Sequence, residues 1–71
     1  MELDMLFKEP NSGGGGCPSI YLAESGEFVI QGLTLDSATR NNLRNVLPGE
    51  GAVRISAEIL LGAVAAYRSR Q

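Results

Sequence analysis

The alternation of apolar and polar positions becomes regular after Pro18. Ser19-Ile-Tyr-Leu-Ala23 and Glu27-Phe-Val-Ile-Gln31 are rich in β-branched and aromatic residues, the composition that suits a pleated, half-buried surface. The intervening Glu24-Ser25-Gly26 has the length of a hairpin loop, with Gly26 placed for the positive φ of a type I turn followed by a bulge. Strand alternation sets Ile20 and Leu22 against Tyr21, and Phe28 and Ile30 against Val29. Apolar side chains therefore stand on both faces. The sheet is expected to carry helices on one side and the N-terminal segment or a partner on the other.

Beyond Gly32 the period changes. Asp36 is a predicted N-cap for a helix over 37–47, its carboxylate accepting from first-turn amides. Leu43, Val46 and Leu47 form that helix's apolar stripe, extended backwards by Leu35 and Thr39, with Arg40, Asn41, Arg44 and Asn45 on the remaining surface. Pro48-Gly49 ends it. Gly51-Ala-Val-Arg-Ile55 predicts a third strand, with Val53 and Ile55 opposite Arg54. Ser56 caps a last helix over 57–69, in which Leu60, Ala63, Val64 and Tyr67 recur at helical spacing. Glu58 sits in its positive first turn, and Arg68 and Arg70 lie at its negative end. The expected fold class is α+β: a small three-stranded antiparallel or mixed sheet with two helices, in the order β-β-α-β-α.

Upstream, Lys8 to Pro18 holds four consecutive glycines between two prolines, a composition too free in backbone to hold a helix or central strand. Residues 1–18 are thus expected to be a flexible tail and linker, and 19–71 a single small domain. The pattern leaves three states open for Leu3, Met5, Leu6 and Phe7: a frayed end, a docked edge strand or a helical turn.

Seventy-one residues allow one domain, and a chain of this size buries only about 60% of its unfolded surface. Below about 70–80 residues without a disulfide or metal, oligomerisation is a common supplement to a small core, so a homodimer is a live expectation. Two acids precede the first Lys, unlike the basic start of a secretory signal. The longest apolar run, Ile59 to Tyr67, is well short of the roughly 20 residues that span a bilayer. With a lone cysteine suited to a reducing compartment, the protein is expected in the cytoplasm, away from membranes.

Candidate chemistry is sparse. The chain has no His, no Trp and one Cys, which excludes an internal disulfide, Ser-His-Asp triads, Cys-His dyads and most zinc sites within one chain. No cofactor and no metal are expected. Gly13 to Gly16 resembles a phosphate loop only superficially: no Gly-Lys-Ser/Thr follows, and the next element is a strand. Cys17 has no adjacent cation or helix N-terminus to activate its thiol. Glu24 and Glu27 flank the hairpin, Glu50 and Glu58 the third strand, with no pairing that would make a catalytic acid and base. The informative feature is Thr39-Arg-Asn-Asn-Leu-Arg-Asn45, since Arg and Asn are the side chains that contact bases and phosphates. Residues 1–39 carry net −5 and residues 40–71 net +3, which places a basic region in the second half. Against nucleic acid stand the overall net charge of −2 and the lack of a preceding helix at helix-turn-helix spacing.

Cys17-Pro-Ser-Ile-Tyr21, Gly26, Val29-Ile-Gln-Gly32, Leu35 and Ala52-Val-Arg-Ile55 together resemble a class of short actinobacterial proteins. These share a Cys-Pro-x-[Val/Ile]-Tyr start, a Val-Val-Gln-Gly strand and a Val-Arg-Ile-Pro close; Ser56 departs from that final proline. The resemblance covers roughly residues 17–60 and implies no activity. It implies companionship with helix-turn-helix regulators of the WhiJ type. The expected function is a non-enzymatic accessory module binding a protein partner such as a transcriptional regulator, through Arg40, Asn41, Arg44, Asn45 and Arg54 or through an uncovered sheet face. The alternative is direct nucleic-acid binding by the helix over 37–47.

Overall fold

A computed structural model describes residues 1–10 and 18–70. The glycine run and Cys17 lie outside the described residues, as does the linker reading placed on them.

The principal sheet is three-stranded and antiparallel, in the order β1 (Leu3–Lys8), β2 (Ser19–Ala23), β3 (Phe28–Gln31). The hairpin is as expected. Ala23 and Glu27 close it with a 2.8 Å N–H···O bond, Gly26 N–H reaches the Ala23 carbonyl at 2.9 Å, and Gly26 has φ of 92°. The third strand differs from expectation: it comes from the N-terminus, the docked form of the segment expected to be a flexible tail. β1 pairs with β2 from Leu3↔Ala23 to Lys8↔Ser19, with a bulge between Met5 and Phe7. Such a bulge opposes two residues to one and bends the strand. Leu6 and Phe7 both join the core around Ile20.

The predicted strand over 51–55 is a two-residue strand, β5 (Val53–Arg54), and it does not enter that sheet. It pairs with β4 (Leu33–Thr34) as a separate antiparallel ribbon, Leu33↔Arg54 and Thr34↔Val53. At Gly32 an added Cβ would stand 2.7 Å from the Arg54 carbonyl oxygen. Only a glycine lets the end of β3 pass this close to β5. With β1 and β4 added, the expected β-β-α-β-α order is contained in β-β-β-β-α-β-α.

The last helix, α2 (Ala57–Ser69), runs as predicted, with Ser56 Oγ accepting from Ile59 N–H at 3.3 Å. Its buried face is turned by about one position from the expected stripe. Ile59 and Ala63 are buried against Leu6 and Ile20, while Leu60 is half exposed. The cause is size: Gly62 receives the ring of Phe7, whose Cζ lies 2.6 Å from where a Cβ would stand. Small residues let the helix sit closely on β1 and β2, and Leu60, Val64 and Tyr67 flank the contact. Tyr67 meets Phe28 of β3 edge-to-face, ring centroids 5.2 Å apart. An exposed 3.7 Å ion pair joins Arg70 to Asp4, of the kind worth about 0–1 kcal/mol.

Candidate functional site

Between Leu33 and Arg54 the chain leaves the sheet, and this arm carries every residue singled out for partner binding. From Asp36 to Arg54 no side chain is buried. The arm is held by local bonds. Asp36 caps α1 (Ser37–Arg40), its Oδ1 accepting from Thr39 N–H at 2.7 Å. Hydrogen bonds from Thr39, side chain first and then backbone, lower the Asp36 pKa, and the charge of Arg54 adds to them. Past α1 the backbone continues in turns, Asn42 N–H to Thr39 O at 3.0 Å and Leu43 N–H to Arg40 O at 3.1 Å. Leu47-Pro48-Gly49-Glu50 closes a further turn through a 3.0 Å backbone bond, with Gly49 at φ of 89°. The Glu50 carboxylate accepts from Leu47 N–H at 3.0 Å.

The predicted helix over 37–47 is therefore corrected to one turn. Asn41, Asn42 and Asn45 are weak helix formers that bond locally instead, and Asn45 takes φ of 56°, where a helix cannot continue. The stripe expected to hold the helix down has no core to meet: Leu43 is 40%, Val46 45% and Leu47 61% exposed.

The five expected contact residues are distributed accordingly. Arg40 ends α1, Asn41 follows it, Arg44 and Asn45 lie in the turns, and Arg54 is on β5. They form no single helix face. Arg40 lines a cavity of about 210 Å³ with Leu35, Leu43, Val46 and Glu50. Arg54 lines another, beside Glu9, Pro18, Leu33, Ile55 and Ile59. Among the described residues none of the three arginines makes an ion pair. The pattern gave no warning that Leu33 and Val53 would be exposed. The asparagines were the signal against a three-turn helix.

The other candidates are dispersed. Glu27 accepts from Ser25 Oγ at 2.8 Å in the hairpin, Glu50 serves its turn, and Glu58 opens α2. Among the described residues no three His, Cys, Asp or Glu side chains cluster as metal ligands, and no helix is long and apolar enough to cross a membrane. Comparison with family models, curated proteins and solved structures finds no match to this chain.

Proposed function

We propose that this chain is a non-enzymatic interaction module that binds a protein partner in the cytoplasm through the Leu33–Arg54 arm. One observation carries the reading: the arm exposes Leu33, Leu43, Val46, Leu47 and Val53 beside Arg40, Arg44 and Arg54. Apolar side chains on a segment without a core of its own are a frequent mark of a contact surface. Arginines are favoured in such surfaces because they combine apolar stem and bidentate head. The matching partner surface is apolar with acidic groups around it. The resemblance to companions of helix-turn-helix regulators makes such a regulator the first partner to test.

The experiment is co-purification of the native chain, identification of the associated regulator, and titration of the two purified proteins. Leu43→Asp and the pair Arg40→Ala with Arg44→Ala are expected to weaken the complex by at least about tenfold each, the size of a modest hot spot. Unchanged affinity in both would overturn the arm as the contact surface.

The arginines also favour direct nucleic-acid binding as a second reading, with Asn41 and Asn45 as base-reading groups. Three phosphate contacts would give a log–log salt slope of about −3. Duplex affinity that falls this way with added salt, and falls again in Arg54→Ala, would support it over the protein partner.

A further inference from the structure

We infer that two copies of this chain pair along β3 and join their sheets into one continuous six-stranded antiparallel sheet. This surface is separate from the arm. The principal sheet has two edges, β1 and β3. Exposed edges invite pairing, and monomeric proteins guard them with charges, prolines or bulges. β1 is guarded: it carries Asp4 and Lys8, is flanked by Glu2 and Glu9, and is bulged between Met5 and Phe7. β3 is Phe28-Val29-Ile30-Gln31, with no charge, no proline and no bulge inside it and Glu27 as its one flanking charge.

The register specifies what that edge offers. Ala23 bonds the Glu27 carbonyl, and Tyr21 is opposite Val29. Antiparallel bonding alternates along a strand, so Val29 and Gln31 turn their backbone groups to β2, and Phe28 and Ile30 turn theirs outward. Among the described residues no loop or cap bond occupies those outward groups.

A two-fold axis through Val29, perpendicular to the sheet, makes this edge complementary to itself. Phe28 then stands opposite the partner's Ile30 and Ile30 opposite the partner's Phe28, each pair exchanging two backbone bonds. Val29 meets the partner's Val29 at the close, non-hydrogen-bonded position. Glu27 faces the partner's Gln31, so no like charges oppose each other across the seam.

The side chains agree with the backbone. Phe28 and Ile30 lie on the side of the sheet that carries α2, yet are 37% and 40% exposed because α2 covers β1 and β2. Phe28 touches Tyr67, and Leu60 lies two helical turns before Tyr67 on the same side of α2. A stable interface buries roughly 600–1,000 Å² per partner, more than a four-residue edge supplies alone. The exposed parts of Phe28, Ile30 and Leu60 add apolar area but leave the total below that range, so the pairing is of the weak kind that forms at tens of micromolar. A molecule whose buried apolar side chains, among the described residues, are Leu6, Ile20, Ala23, Ile59 and Ala63 gains most from a second copy.

Sedimentation equilibrium on the full chain tests the inference, with an expected mass twice the 7.5 kDa of one chain at tens of micromolar. Val29→Lys sets two ammonium groups across the axis and should weaken dimerisation more than tenfold, with far-UV circular dichroism unchanged. Ile30→Pro deletes an outward donor without touching a β2 bond and should do the same. Amide exchange on the unmodified chain reads the edge without any substitution: Phe28 and Ile30 should gain protection as concentration rises. A monomer throughout, a dimer that persists in both folded variants, or unprotected Phe28 and Ile30 amides within a dimer would each overturn β3 pairing. Regulator binding by the Val29→Lys monomer reports separately on the arm.

Discussion

Gly62 is the residue on which the approach of helix to sheet depends. An alanine there would set its methyl 2.6–2.8 Å from three ring carbons of Phe7, which is inside contact distance. The ring would have to tilt against Leu6 and Ile20, its neighbours in the core. Forced overpacking of this kind costs about 1–3 kcal/mol. Gly62→Ala should therefore lower the melting temperature, offset slightly by the better helix propensity of alanine. Phe7→Leu should recover part of the loss when combined with it. A thermal double-mutant cycle checks the coupling, and additive effects would show that the ring does not limit the approach. This contact was not legible in the sequence. The spacing of Leu60, Val64 and Tyr67 draws attention to large side chains, whereas the tightest contact is made where α2 has no side chain.

At the scale of elements, legibility followed how far each element is self-contained. The hairpin was readable because its turn demands a glycine at positive φ, and α2 because cap, stripe and terminal charges agree over thirteen residues. The helix over 37–47 failed because helical spacing is informative only where a face has something to bury against, and this stretch has none. β1 was legible as one of several open states, since its pairing depends on β2, which lies beyond residues 9–18 in the chain. The Asp36 cap was legible, and it makes the arm pH-sensitive. Bonds from Thr39 and the charge of Arg54 hold the carboxyl below its ordinary value, so the folded arm favours the carboxylate. That contribution is fully present above the unfolded aspartate value of about 3.9. It is lost as pH falls through the lower, folded value. The Thr39 amide resonance should titrate with a midpoint below that of a free aspartate. Asp36→Asn should abolish the titration while leaving α1 capped, and a midpoint at or above the free value would refute the linkage.

For the whole molecule, the sheet with α2 and the arm are two unequal parts of one chain, and their stabilities should separate. Ile59 is buried at 2% exposure between helix and sheet, whereas Leu47 is 61% exposed in the arm. Truncating a packed isoleucine costs about 2–5 kcal/mol, a large share of the stability of so small a domain. An exposed leucine costs about 0.5 kcal/mol or less. Ile59→Ala should accordingly unfold the chain or lower its melting temperature by more than about 10 °C; Leu47→Ala should leave the melt almost unchanged. The same division governs amide exchange. β2 is hydrogen-bonded on both edges and lies beneath α2, so its amides should open only with global unfolding. Those of residues 41–52, outside any strand or helix and held only by local turn bonds, should exchange far faster than those of β2. An arm organised for partner binding would then gain protection in the complex, while β2 would change little. Equal protection of arm and β2 in the free protein would mean that the arm is already part of the core, and would remove the reason for its exposed leucines to seek a partner.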